Sequence, residues 1–190
     1  MFILYAVLAG LVIGLLTGGS AARLGELHFR WAALVAVGMA VQLLLFSTTL
    51  GDALGPWAPL VYVVSNLAVL AAVWRNLAIP GLPIVLVGGA TNLLAIVANG
   101  GYMPVSPGAL AAMGRIPREG YTNSRLVEGV VLGPLTDLFA MPTWVPAANV
   151  FSVGDILIGV GACIAVAAAM HGRGPHTKRH PGVPVGASPH

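Results

Sequence analysis

Two carboxylates stand at the borders of apolar segments in the second half of the sequence. Asp137 lies in "PLTDLFAMP" and Asp155 in "NVFSVGDILIG". Acidic side chains beside such segments are costly to desolvate, and they are usually functional where the segments enter a membrane. If the two carboxylates share a cleft, one can activate water while its protonated partner polarises a scissile carbonyl, as in aspartic proteolysis. We therefore treat Asp137 and Asp155 as candidate catalytic residues.

A structural role for each carboxylate explains the same patterns. The segment "SVGD" matches a capping box, in which Ser152 caps a helix and Asp155 reaches back to the Ser152 amide. An acid at this position also complements the positive end of the helix dipole. Asp137, on this interpretation, is an exposed loop acid. The interpretations are compatible, because a capping acid can also be catalytic.

The composition places these carboxylates in a membrane protein. Hydrophobic residues make up 57% of the 190 residues and charged residues only 8%, against about a quarter charged in soluble domains. This number of charged side chains is too small to cover the surface of a soluble protein of this size. We therefore expect apolar surface to face lipid. The net charge of +3 and the dispersed basic residues exclude a nucleic-acid partner. The single cysteine, Cys163, excludes an intrachain disulfide and a cysteine metal cluster, and we predict no metal and no cofactor.

Five apolar segments approach the length of about 20 residues that a spanning helix needs. They lie at about 2–19, 31–50, 58–74, 82–99 and 150–170. We predict an all-α, polytopic membrane protein with one transmembrane domain over 1–172. The Pro-, Gly- and His-rich tail over 173–190 is predicted to be disordered. The first segment lacks the basic region of a signal peptide, so we expect it to be retained as a span.

The basic residues beside the spans predict the orientation. Arg23 and Arg30 in the first loop, Arg75 in the third and the basic tail all fall on one side of a five-span protein. Because basic loops stay in the cytoplasm, the predicted location is the cell membrane, with the N-terminus outside and the C-terminus cytoplasmic. The long loop over 100–149 then lies outside. Its arginines carry little weight, since long segments translocate largely regardless of charge.

This long loop is predicted to be structured. Gly100 and Gly101 supply a turn, and Ser106 followed by Pro107 indicates the start of a short helix. The apolar stretch Val130–Met141 is too short to span and is typical of a re-entrant or interfacial segment. We therefore expect a partly helical or re-entrant loop before the last span.

The polar blocks at the ends of this loop predict a binding site beside the two carboxylates. We expect these blocks to gather at the outer ends of the fourth and fifth spans, because both helices start or stop there. The candidate binding residues are Asn99, Tyr102, Met103, Asn123, Asn149 and Ser152.

The C-terminal segment "LTDLFAMPTWVPAANVFSVGDILIGVGACIAV" resembles the last part of lipoprotein signal peptidase (signal peptidase II). Phe151, Gly154 and Asp155 fall on that family's Phe-Asn-x-Ala-Asp motif, and Asp137 begins its earlier Asp-Phe element. The resemblance implies a catalytic aspartate at Asp155. The sequence departs from the family at Leu126, which stands at the position of the second catalytic aspartate, and in its five predicted spans instead of four.

A second resemblance extends over nearly the whole chain. The blocks "NGGYMPVS", "TNSRL", "LTDLFAMP" and "NVFSVGD" resemble an uncharacterised family of bacterial multi-pass integral membrane proteins. This resemblance implies a membrane location and a shared extracytoplasmic polar site, without implying an activity.

Three functions remain open at this point. The leading hypothesis is a membrane-embedded binding or accessory protein whose outer loop recognises a lipid, a peptide or a protein partner. The alternative is an aspartate-dependent hydrolase acting at the outer leaflet, which requires that the two carboxylates converge. The third is a transporter with a polar seam formed by Gln42, Asn66 and Asn92, although interhelical hydrogen bonds explain the same residues.

Overall fold

A computed structural model of the chain describes residues 2–47, 49–114 and 124–175. Within these ranges the chain is mostly helical, as predicted. The α-helices are α1 (Phe2–Leu16), α2 (Ala32–Ser47), α3 (Leu50–Leu54), α4 (Ala58–Arg75), α5 (Leu82–Ala98), α6 (Pro107–Ala112) and α7 (Val153–Met170). Short 3-10 helices lie at Ala21–Glu26, Gly55–Trp57 and Gly133–Leu135. The two-residue strands are β1 (Met103–Pro104), β2 (Ser124–Arg125), β3 (Phe139–Ala140) and β4 (Val150–Phe151).

The long helices correspond to the five predicted segments, and all except α4 are shorter than predicted. The continuous helical stretch Leu50–Arg75 and α7 are long and apolar enough to cross a membrane. The helices α1, α2 and α5 are also apolar but have only 15, 16 and 17 residues. The last helix begins at Val153 and not at 150, because β4 occupies the two residues before the capping residue Ser152.

The five long helices pack in the spatial order α2–α4–α5–α7–α1. Glycines allow the closest approaches, because a Cβ added at Gly88 would lie 2.5 Å from the Gly154 carbonyl oxygen, and one at Gly10 would lie 2.7 Å from that of Cys163. In lipid such small residues let helix backbones approach one another. The contacts make α5 antiparallel to α7 and α1 parallel to α7. Consequently α1, α4 and α7 begin at one end of the bundle, and α2 and α5 begin at the other.

The end of the bundle where α2 and α5 begin is held by backbone and amide hydrogen bonds. The Asn76 side chain accepts from the Arg30 amide at 2.8 Å and donates to the Arg30 carbonyl at 2.7 Å, which ties the start of α2 to the end of α4. The Ser20 amide donates to the Met170 carbonyl at 2.9 Å. Arg23, Arg30, Arg75 and Arg173 all belong to segments at this end, which we call the basic end.

The opposite end is covered by the long loop, which is partly helical. The strands β1 and β2 pair in parallel, Val105 and Asp137 form a parallel bridge, and β3 pairs with β4 in antiparallel fashion. α6 starts where predicted, with the Ser106 hydroxyl accepting from the Ala109 amide at 3.0 Å. We call this the loop end.

The stretch Val130–Met141, for which the sequence predicts a re-entrant or interfacial segment, forms no α-helix in the structure. This stretch contains a 3-10 helix and β3. Gly133 and Pro134 confine helical structure to a single turn there. The backbone of Asp137 then bonds outward, its amide donating to the Pro104 carbonyl and its carbonyl accepting from the Ser106 amide. These pairings replace the hydrogen bonds that a helix would need.

The predicted disordered tail mostly lies outside the described residues, which end at 175. Its first residues are ordered against the bundle. The Arg173 amide donates to the Ala168 carbonyl at 3.0 Å, and the Pro175 carbonyl accepts from the His28 amide at 2.9 Å.

Candidate functional site

A cavity of about 330 Å³ follows the helix row from the loop end toward the basic end. It receives side chains from α1, α2, α4, α5, α7 and the long loop. Its polar lining residues lie toward the loop end, and its apolar lining residues continue deeper along α4 and α5. The polar members are Gln42, Tyr62, Asn66, Asn92, Asp137, Asn149 and Asp155. The deeper apolar members include Val69, Leu70, Val73, Val85 and Ile158.

The helix α7 places Asp155 in this cavity through the predicted capping box. The Ser152 hydroxyl accepts from the Asp155 amide at 3.0 Å, and the Asp155 Oδ2 accepts from the Ser152 amide at 3.1 Å. The other carboxylate oxygen, Oδ1, accepts from Nδ2 of Asn92 on α5 at 2.9 Å. Asp155 is therefore both the cap of α7 and part of the cavity wall, with its orientation fixed by two donors.

Asn92 and Ser152 complete a closed network with Asp155. The Ser152 hydroxyl donates to Asn92 Oδ1 at 2.8 Å while it accepts from the Asp155 amide. Ser152 is fully buried, at 0% exposure. Space for Asn92 depends on Gly154, because a Cβ at that position would overlap Asn92 Oδ1. Each of the three side chains thus holds the other two in place.

Asp137 reaches the same cavity from the loop. It is only 4% exposed, so it is not the exposed loop acid of the structural interpretation. Its position is set by the backbone pairing with Pro104, Val105 and Ser106. Asp137 and Asp155 therefore both line the cavity, together with the Tyr62 side chain.

Some of the other predicted binding residues line the cavity, and others do not. Met103 and Asn149 line the cavity, and Asn149 Oδ1 also accepts from the Phe2 amide at 3.2 Å. Asn99 instead anchors the loop by bonding both the amide and the carbonyl of Val131, at 2.9 and 2.8 Å.

Tyr102 does not line the cavity. The ring of Tyr102 lies 4.9 Å beneath the Arg125 guanidinium, a cation–π contact in the loop. The predicted binding residue Asn123 lies outside the described residues.

The sequence interpretation separated residues that the fold brings together. The residues of the predicted polar seam, Gln42, Asn66 and Asn92, line the cavity that contains the carboxylates. Tyr62, which also lines this cavity, is not among the residues predicted from the sequence. Its spacing of four residues from Asn66 was a usable signal, because residues at i and i+4 share a helix face. Of the three seam residues, Asn92 makes the interhelical hydrogen bond that was expected.

Among the described residues, the charged side chains that line the cavity are both acidic. Two carboxylates line it, and no lysine, arginine or histidine among the described residues does so. Within the same ranges no group of three or more His, Cys, Asp and Glu side chains is placed to hold a metal ion. The polar end is therefore lined by carboxylates, carboxamides and the Tyr62 hydroxyl.

Comparison with known proteins gives one match. The model of the "Family of unknown function (DUF5317)" matches residues 26–167. The chain belongs to this family. No curated protein and no solved structure matches the chain. Residues 26–167, which the family model matches, include Asp137, Asp155 and the two hydrogen-bond partners of Asp155, Asn92 and Ser152.

Proposed function

We propose that the protein is a multi-pass integral membrane protein that binds a lipid or peptide ligand at an extracytoplasmic polar site. The observation that carries this proposal is the cavity, which has carboxylates and amides at the loop end and aliphatic side chains deeper in the bundle. Its volume of about 330 Å³ is at the lower end of the range of roughly 300–1,000 Å³ for ligand sites.

The surface of the bundle supports five spans. The long helices run between the same two ends, and leucine, valine and isoleucine side chains on all five are exposed. Exposed tryptophans stand at both ends, Trp57 and Trp144 at the loop end and Trp31 and Trp74 at the basic end. Tryptophan is enriched at the two interfaces of a membrane. Helices of 15–18 residues are about 23–27 Å long at a rise of ~1.5 Å per residue, so locally thinned lipid accommodates them.

The basic end is proposed to face the cytoplasm. Arg23, Arg30, Arg75 and Arg173 lie there, whereas the described part of the loop end contains Arg125 alone among basic residues. Positive residues flank spans preferentially on the cytoplasmic side. The parallel arrangement of α1 and α7 then puts the N-terminus outside and the C-terminus inside.

This orientation predicts a specific labelling pattern in whole cells. In a Cys163→Ala background, Ala111→Cys at the loop end should react with an impermeant maleimide, and Gly25→Cys at the basic end should react only after lysis. Both positions are exposed in the structure, so shielding by the fold does not explain a negative result. Labelling of Gly25→Cys but not Ala111→Cys in intact cells would reverse the orientation.

Ligand binding in the cavity is tested with a substitution whose larger side chain fills the cavity. Ile158 on α7 lines the cavity, and Val160 on the same helix is exposed away from it. Ile158→Phe should therefore displace a ligand, while Val160→Phe serves as the matched control. The probes are spin-labelled C18 amphiphiles with ammonium, hydroxyl or sulfate headgroups and a spin-labelled apolar peptide with a free amino terminus. The protein is placed in phosphatidylcholine nanodiscs.

We expect at least one probe to show a motionally restricted component in its electron paramagnetic resonance spectrum that Ile158→Phe removes and Val160→Phe retains. Ile158→Phe should weaken binding of the probe by about ten-fold or more, because inserting carbon atoms into a packed site costs ~1–3 kcal/mol. If Ile158→Phe changes the spectrum of no probe, the binding function is wrong.

A hydrolase is the second candidate, because both carboxylates line one cavity. The resemblance of the C-terminal segment suggests a lipid-modified signal peptide as substrate. In reconstituted protein, cleavage of a synthetic lipoprotein signal peptide should then be seen by mass spectrometry and be lost in Asp137→Asn. Binding of the peptide without any cleaved product by the wild type would remove this candidate.

A further inference from the structure

The Gln42 side chain lines the cavity from α2 and is half-buried. Among the described residues, its carboxamide forms no hydrogen bond. The other two residues of the polar seam are bonded to protein atoms, since Asn66 Nδ2 donates to the Tyr62 carbonyl and Asn92 Nδ2 donates to Asp155 Oδ1, both at 2.9 Å. A carboxamide held away from water without a partner is costly. A ligand group that bonds to Gln42 would remove that cost.

The cavity has the length of a lipid chain in one leaflet. Gln42 lies between Met39 and the end of α2 at Ser47, ~7 Å inside the loop end at a rise of ~1.5 Å per residue. Along α4 the lining extends from Tyr62 to Val73, which is ~16 Å at the same rise. The hydrocarbon core of a bilayer is ~30 Å thick, so one leaflet contributes about half of that length.

The deeper lining is aliphatic. From Asn66 toward the basic end, the described lining side chains carry no polar group, and they include Val69 and Val73 on α4 and Val85 on α5. A peptide in this part of the cavity would leave its backbone amides and carbonyls without partners. A hydrocarbon chain has no polar group to satisfy there, so a lipid chain suits this lining better than a peptide does.

The cavity opens toward the side of the bundle. In the helix row α2–α4–α5–α7–α1, the two end helices are not among the pairs that pack closely in the described chain. Each end helix contributes a lining residue that is also exposed, Ile3 on α1 at 38% and Met39 on α2 at 55%. Met39 and Gln42 share one face of α2, because residues at i and i+3 do so. Gln42 therefore lies beside the opening through which surrounding lipid reaches the cavity.

We propose that the cavity holds one acyl chain of a membrane lipid and that the Gln42 carboxamide donates a hydrogen bond to the ester carbonyl of that chain. The chain lies along α4 and α5, with its ester at the level of Gln42. This inference rests on the proposed binding function and names its ligand class and a specificity-determining residue. The carboxamide NH₂ group of a glutamine has two N–H donors, which the carbonyl oxygen of an ester complements and an ether linkage matches poorly.

The ligand class is tested with two probes that differ in one carbonyl group. They are a spin-labelled monoacylglycerol and its alkyl ether analogue, with the same chain length and label. The nanodiscs are made of ether-linked phosphatidylcholine, so that the host lipid offers no competing ester. The wild type should bind the ester about five-fold or more tightly than the ether, because the ester supplies a partner to an amide that otherwise has none.

The role of Gln42 is tested with Gln42→Leu, which should bring the ratio of ester to ether affinity close to one. Thr91→Val is the control, because the Thr91 hydroxyl donates to the Gly88 carbonyl within α5 and does not line the cavity. It should keep the wild-type ratio. Gln42→Leu should also leave the midpoint of unfolding in mixed micelles undiminished, since no described residue loses a hydrogen bond. A ratio unchanged in Gln42→Leu, or a clear loss of stability, would overturn the assignment of Gln42 to the ligand.

The results separate this inference from the function beneath it. If the wild type binds ester and ether equally, or binds the apolar peptide more tightly than the ester, and Ile158→Phe still displaces these probes, the ligand class is wrong while the binding function stands. If Ile158→Phe displaces none of the probes, both are wrong. The comparison of ester with ether is made in the wild-type protein, so it is decisive even if Gln42→Leu fails to fold.

Discussion

Gly81→Ala is expected to lower the free energy of unfolding by about 3 kcal/mol or more. Gly81 is the N-cap residue of α5 and has φ +89°, a left-handed conformation that disfavours side chains. A Cβ there would also overlap the carbonyl oxygen of Gly161 on α7 and lie 2.8 Å from the Ala165 amide nitrogen. Both obstacles are backbone atoms, so no rotamer change relieves the clash.

The measurement is equilibrium unfolding in mixed micelles, followed by circular dichroism. Gly25→Ala is the control, because nothing lies within 4 Å of a Cβ at Gly25 and its φ is not positive. That control should change stability by less than about 0.5 kcal/mol. Because α5 and α7 together position Asn92 and Asp155, Gly81→Ala should also weaken probe binding. Wild-type stability in Gly81→Ala would mean that the two helices do not approach as closely as described.

The helical architecture was predictable because long apolar segments restrict the backbone to few structures. Apolar runs without lysine or arginine must form helices that satisfy their own backbone hydrogen bonds, and α2, α4 and α5 begin within one residue of their predicted first positions. The boundaries were less accurate where the loop intervenes. Val150 and Phe151 are as apolar as the helix that follows, and only pairing with Phe139 and Ala140 makes them a strand. That pairing is a long-range contact, which local hydropathy does not predict.

Part of the site was predictable because some of its features are local in the sequence. Asp137 and Asp155 were found because charge beside an apolar segment is conspicuous, and the capping box was found because its residues are local in sequence. The partnership of Asn92 with Asp155 spans 63 residues and depends on which helices are neighbours. Asn66 and Gln42 likewise belong to the cavity only because α2, α4 and α5 are adjacent. Tyr102 has local packing that the sequence pattern did not distinguish from a binding role.

Asp155→Asn is expected to destabilise the protein by about 1–3 kcal/mol, although the amide has nearly the same shape. From the sequence, a capping acid alone should tolerate this change with little loss. The structure gives a reason for a larger loss of stability. Both carboxylate oxygens accept from donors, one from Asn92 Nδ2 and one from the Ser152 amide. An Asn side chain has one acceptor oxygen and places its NH₂ group against the other donor. Rotation of Asn92 does not repair this, because the Ser152 hydroxyl would then lose its acceptor.

Ser152→Ala provides the comparison that separates capping from ligand binding. It removes the side-chain cap of α7 and should cost about 1–2 kcal/mol, but it leaves the Asp155 carboxylate in place. Ser152 does not line the cavity, whereas Asp155 does. The two variants therefore have similar expected losses of stability and different expected effects on a bound amphiphile.

The most direct test of the account is binding of the spin-labelled ammonium amphiphile to these two variants in nanodiscs, at a temperature where both remain folded. If Asp155 both caps a helix and forms part of a ligand site, Asp155→Asn should weaken binding by about ten-fold or more, while Ser152→Ala should retain most of the wild-type affinity. Equal affinity in the wild type and in Asp155→Asn, with the cavity-filling Ile158→Phe also without effect, would contradict this dual role and leave Asp155 as a helix cap alone.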